Sequence, residues 1–167
     1  MPLYYAVITT LGAQRLAEAQ AENTPLVFTH IAVGDANGNV VTAPPPSSTA
    51  LVNEVWRSGI NSIATSPDAP RTIRIEGLIP ANDGGFTIRE VGVFNGAGEL
   101  IVYASYPPTY KPNGGDGMLV DEFIRINIEV ASVAAVELTV DPAVATATRA
   151  DVEDATAGSL FLWESFT

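Results

Sequence analysis

From Glu122 to Val130 the chain alternates without a break: Ile124, Ile126, Ile128 and Val130 are apolar, and Arg125, Asn127 and Glu129 between them are polar. A period of two is that of a strand with one buried face and one wet face. Val136, Leu138 and Val140 repeat the pattern with Glu137 and Thr139 outward, which predicts a second strand and a hairpin connection over Ala131 to Ala135. Ile73 and Ile75 alternate in the same way with Arg74 and Glu76. The run "LVFTHIAVG", Leu26 to Gly34, is largely apolar and reads as another strand, closed by the turn "DANGN". Tyr4 to Ile8 is a short β-prone run.

In "GGFTIREVGVFNGAGELIVYASYPPTYKP", Gly84 to Pro112, the alternation changes phase. Phe86 and Ile88 share one parity, and Val91 and Val93 the other. One extra residue at Arg89 or Glu90, a β-bulge, returns all four apolar side chains to a common face and re-aims the two charges. Arg89 and Glu90 then mark a contact surface, an internal ion pair or a solvated pair on a twisted strand. The hairpin turns at Asn95-Gly96-Ala97-Gly98, where glycine supplies the positive φ of a tight turn.

Helical signals sit near the two ends. Thr9 or Thr10 caps a helix carrying Leu11, Leu16 and Ala19, which stops near Asn23, ahead of Pro25. Thr148 with Asp151 three residues on is a capping-box pattern that opens a helix at the other end. "TAPPPSS" removes ladder donors and reads as an extended loop. The stretch after it predicts a short helix capped by Ser47 or Ser48, with Leu51, Val52, Val55 and Trp56 at helical spacing, and then a strand from Trp56 to Ala64. The expected fold is α+β and mainly β: an antiparallel sheet or sandwich with an N-terminal helix and a C-terminal helix.

A chain of 167 residues suits one domain with a core of its own. Residues 1–147 are read as that domain, and 148–167 as a C-terminal helix and apolar tail that couples it to neighbouring chains. The absence of cysteine excludes disulfides and thiolate metal sites. Nineteen acidic against eight basic residues, a formal charge of −11, oppose binding to nucleic acid and to anionic membranes. No uninterrupted apolar run approaches the ~20 residues of a membrane span, and the first residues carry no positive n-region, so the expected product is soluble, unprocessed and made in the cytoplasm.

Candidate chemistry is sparse. His30 lies inside an apolar strand with no nucleophile and acid assigned to it, which favours a buried, hydrogen-bonded histidine. Asp35, Asn37 and Asn39 begin like a calcium loop, but Val40 stands at its glycine position and Pro46 at its glutamate position. No metal and no cofactor are expected, and no catalytic residues are assigned. Tyr103, Tyr106 and Tyr110, interleaved with Pro107, Pro108 and Pro112, suit an aromatic interface or local packing.

The stretches "YYAVITTLGAQRLAEA", "AVGD", "LVNEVWR", "GGFTIREVGVFN", "YKP" and "VDPAVATATRADVEDA", in that order, resemble the N-terminal domain of phage tail-collar fibre proteins. The resemblance implies a noncatalytic virion protein at the tail baseplate or fibre base of a contractile-tailed phage or related injection particle, made in the host cytoplasm. It implies baseplate proteins and a fibre protein or further fibre segment as partners, and a homotrimer as the assembly. Members continue into a long fibre, so this chain is expected to be an excised N-terminal piece or a short adaptor. The competing expectation is a carbohydrate-binding or polysaccharide-depolymerising tail module. The residues expected to meet partners are Arg89, Glu90, Tyr106, Tyr110 and Lys111, together with Leu160, Phe161, Trp163 and Phe166 of the apolar tail.

Overall fold

The structure is a computed structural model that describes residues 4–41, 43–117, 119–130 and 136–137. The expected C-terminal helix and the tail with Leu160, Phe161, Trp163 and Phe166 lie outside the described residues. Within them the chain is mainly β, with one α-helix, α1 (Thr10–Glu22). The strands are β1 (Ala6–Ile8), β2 (Leu26–Gly34), β3 (Glu54–Gly59), β4 (Ser62–Ser66), β5 (Ala69–Ile79), β6 (Phe86–Asn95), β7 (Leu100–Lys111), β8 (Glu122–Glu129) and β9 (Val136–Glu137).

They form a larger sheet in the order β1-β7-β6-β2-β3, with β9 added beside β2, and a smaller sheet in the order β4-β5-β8. The sheets face each other across one apolar core, to which β2, β6 and β7 contribute Ile31, Val93 and Val102 and the smaller sheet Ile63, Ile75 and Ile126. β8 carries the alternation expected of it, with Ile124, Ile126 and Ile128 buried and Arg125, Asn127 and Glu129 exposed.

α1 is closed as the sequence predicts. Thr9 is the N-cap, its hydroxyl accepting from the Gly12 N–H at 2.8 Å, and Asn23 ends the helix in the left-handed conformation. The helix lies directly on β7: a Cβ on Gly12 would stand 2.3 Å from the Ile101 carbonyl oxygen, so only glycine permits that approach. The Asn95–Gly98 turn is also where expected, with Asn95 Oδ1 accepting from the Ala97 and Glu99 amides at 3.1 and 2.9 Å and Gly98 at φ +80°.

Four expectations are corrected. The helix capped by Ser47 or Ser48 is absent: residues 47–53 form turns and bends, and the amides of Val52 and Asn53 donate to the Glu90 side chain instead of entering a helical ladder. The strand expected over Trp56 to Ala64 is two strands, one in each sheet. The chain crosses between the sheets at Ile60 and Asn61, whose amides donate to the carbonyls of Thr29 and Glu76. Val136 does not form a hairpin with β8; β9 runs parallel to the start of β2, Leu26 beside Val136. His30 is exposed, because the β2–β6 register shifts between Phe28 and His30, which turns Phe28 and Ile31 into the core and His30 outward.

Candidate interaction site

The larger sheet has a second covered face, and the phase change in β6 serves it. Ile88, Val91 and Val93 all reach the core between the sheets, with Phe86 packed against them, as the bulge predicts. The ladder from β6 to β7 breaks between Ile88 and Glu90. The excess, however, lies on β7: Arg89 alone stands across from Tyr106, Pro107 and Pro108, because Ile88 pairs with Thr109 and Glu90 with Ser105. Two consecutive prolines cannot donate to a ladder, so the extra residues collect where they stand.

With the phase reset, Glu90 points to the face opposite the core, where Ala32, Leu51, Phe94, Leu100 and Tyr103 pack under the loop after β2. Its carboxylate is fully buried. Oε1 accepts from the Val52 N–H at 2.9 Å and the Tyr103 hydroxyl at 2.8 Å, and Oε2 from the Asn53 N–H at 2.8 Å and the Ala36 N–H at 3.2 Å. One side chain thereby ties both ends of the 36–53 loop to the sheet, using charge-assisted bonds of the stronger kind. Gly34 leaves the room it needs, since a Cβ there would stand 2.4 Å from Oε2. Burial pushes the Tyr103 hydroxyl pKa up, and the bond to Glu90 pushes it further.

Arg89 lies beside this anchor, not paired to it. Its Nη1 reaches the Asp35 carbonyl only at 3.5 Å, and its buried Nε has no partner among the described residues. Asp35 is held by the Asn53 side-chain amide at 2.7 Å and the Asn37 N–H at 2.9 Å, which lower its pKa, with the nearby Arg89 charge adding to the effect.

At the far end of the same hairpin Lys111 is fully buried, its ammonium donating to the carbonyls of Asp83 at 2.7 Å, Pro112 at 2.9 Å and Ala81 at 3.5 Å. It closes the β5–β6 loop against the end of β7. Trp56 Nε1 ties β3 to the same loop through Asp83 Oδ2 at 3.0 Å.

Of the sequence-predicted contact residues in the described chain, Glu90 and Lys111 thus turn inward and hold the scaffold, and Arg89 and Tyr106 are half-buried. Tyr106 packs against the core, and burial, with the nearby Glu122 charge, raises its pKa. Tyr110 is exposed, beside the exposed Pro107 and Pro108. Tyr103, grouped with them by the Tyr-Pro pattern, is a core residue. The inward turn of Lys111 leaves no sign in periodicity; of the groups that donate to Glu90, Val52 and Asn53 stand in the quoted stretch "LVNEVWR".

The arrangement fixes two loops from below by a buried charge, the 36–53 loop by Glu90 and the β5–β6 loop by Lys111, and leaves Pro107, Pro108 and Tyr110 exposed on β7. The one histidine, His30, is on the surface, its Nδ1 2.9 Å from the Thr29 hydroxyl. Among the described residues no group of three or more His, Cys, Asp or Glu side chains is placed to hold a metal.

Residues 1–150 match the family model of the phage tail-collar fibre protein, N-terminal. The chain belongs to that family. It is also 40% identical over 152 residues to a probable tail fiber protein of Escherichia phage P2. That alignment covers 90% of this chain and 23% of the phage P2 protein, so the chain spans about a quarter of that relative's length. No solved structure matches. The family match runs through α1, the Glu90 anchor and the Lys111 anchor alike.

Proposed function

We propose that this domain is a noncatalytic structural part of a phage tail fibre, located in the virion tail, that fastens the fibre to the baseplate. The match to the N-terminal model of the tail-collar fibre family over residues 1–150 carries the reading. The geometry supports it: the domain is braced internally by Glu90 and Lys111, and Pro107, Pro108 and Tyr110 stand exposed on β7, open to a partner. Its partners are a baseplate protein on one side and a fibre protein or further fibre segment on the other. Residues 148–167 act as the coupling element toward the fibre.

The test is to image purified particles carrying a labelled copy. Label at the baseplate or fibre base is the expected result, and label elsewhere on the particle overturns the reading. A glycan array and a polysaccharide-degradation assay on the same protein are expected to be blank.

A further inference from the structure

The domain has two unlike ends. At one, the Asn95–Gly98 turn stands beside the start of β2 and, through Glu99 and Arg15, beside α1. β9 lies there too, next to Leu26 and Val27, and from it the chain continues in sequence to residues 148–167. At the other end the β6–β7 ribbon outruns its neighbours. β2 ends opposite Glu90 and β1 begins opposite Ala104, whereas β6 and β7 stay paired as far as Phe86 and Lys111. Two loops gather around the ribbon. The β5–β6 loop is bonded to Lys111, and the loop after β7 lies against it where Gly114 approaches Asn82.

The two ends differ in what they expose. Ile79 beside Glu122 is the last pair before the β5–β6 loop, so the start of β8 belongs to the ribbon end. Tyr110, Leu119, Val120 and Phe123 are all exposed there, Leu119 to 68%, together with Pro107 and Pro108. Of the other exposed large apolar side chains among the described residues, Val40 and Val52 lie in the 36–53 loop and Val27 beside β9. Exposed apolar side chains gathered in one region mark a contact surface.

The ribbon end is acidic as well as apolar. Asp83 and Asp121 are exposed and Glu122 is half-buried, whereas Lys111 is buried, Arg89 is half-buried and Arg125, farther along β8, is engaged by Glu76. A second copy of a chain with a formal charge of −11 would set like charge against like there. From this charge, and from the exit of β9 at the opposite end, we infer that the ribbon end is the face that meets the baseplate. Its partner is a basic protein surface, apolar at its centre with lysine or arginine around it. The inference rests on the fastening role proposed above and adds which end performs it. Opposite charge then guides the approach, and the apolar contacts hold the complex.

Co-sedimentation of the full 167-residue chain with tail particles assembled without it measures the docking. Leu119→Glu and Tyr110→Glu, at the ribbon end, should each weaken it at least about tenfold. Ala97→Glu adds the same charge on the exposed turn of the opposite end and should leave docking unchanged. Asp121→Lys should also weaken docking, and added salt should weaken that of the unaltered chain.

If the unaltered chain does not sediment with the tails, the fastening role fails and this inference fails with it. If it docks while Leu119→Glu and Tyr110→Glu dock equally well, or if Ala97→Glu is the variant that is lost, the role stands and the ribbon end is overturned as its face. Docking that Asp121→Lys strengthens, or that salt leaves untouched, overturns the basic partner. Circular dichroism checks the fold of each variant. Leu119 lies outside every strand, so Leu119→Glu decides should Tyr110→Glu fail to fold.

Discussion

The two sheets of this domain differ in how their strands use their faces. In the smaller sheet β5 and β8 run in register for eight pairs, with isoleucines inward and charged or amide side chains outward. In the larger sheet β6, the second half of β2 and the first half of β7 are buried on both faces, and the ladders shift at Thr29, Arg89 and Ile101. A strand with one wet face needs a single parity of apolar residues. A strand that must fill a core on one side and receive a loop on the other needs its parity reset wherever the demand changes, and bulges do that. The difference also locates the charges: on the smaller sheet they are solvated, whereas on the larger one Glu90 and Lys111 are dry and fully bonded.

Breaking the dry charge should therefore have the largest effect. Glu90→Leu leaves three backbone amides and the Tyr103 hydroxyl without acceptors in a buried place, and should cost roughly 3 to 5 kcal/mol of stability. Arg74→Ala, on the wet face of β5, should change stability by no more than about 0.5 kcal/mol. Urea unfolding of both variants measures the contrast, and equal losses would show that the sheets do not differ in the way described. Tyr103→Phe sharpens it: the ring still fills the second face, and the Glu90 carboxylate keeps its amide donors but loses one hydroxyl. The expected loss is about 1 to 2 kcal/mol, read from the same unfolding curves.

The contrast also explains what was legible in the sequence. β8 and the inward face of β5 could be read directly, since alternation survives wherever one side is water. The helix ends at Thr9 and Asn23 could be read because capping is local chemistry. The break at Arg89 was visible as a change of parity, but its excess residues lie on the partner strand, and nothing in one strand reports the length of the other. The 47–53 segment carried helical spacing, yet its amides are captured by Glu90, some forty residues away in sequence. His30 was misplaced for a related reason: the register shift after Phe28 depends on the pairing with β6. Tyr103, Glu90 and Lys111 acquire their roles only through tertiary contacts, so composition gave them the same weight as the exposed Tyr110.

A smaller effect tests the rim where α1 meets the larger sheet. Arg15 on α1 holds Glu99, just before β7, through Nε at 2.9 Å and Nη2 at 2.8 Å, and the Asn95 side-chain amide adds a bond at 2.8 Å. These bonds, Arg15 first, hold the Glu99 carboxyl at about 2, below its ordinary 4.5. Because the folded pKa is depressed, the stabilising contribution is complete above about pH 4.5 and fades as the pH falls toward 2. The group lies near solvent, so its contribution should be smaller than that of Glu90 and should weaken in salt. Thermal melts of the protein and of Glu99→Gln should differ modestly at pH 6 and converge near pH 2. A gap that stays constant over that range would mean that Asn95 and backbone packing, not the charge on Glu99, fix this corner of the sheet.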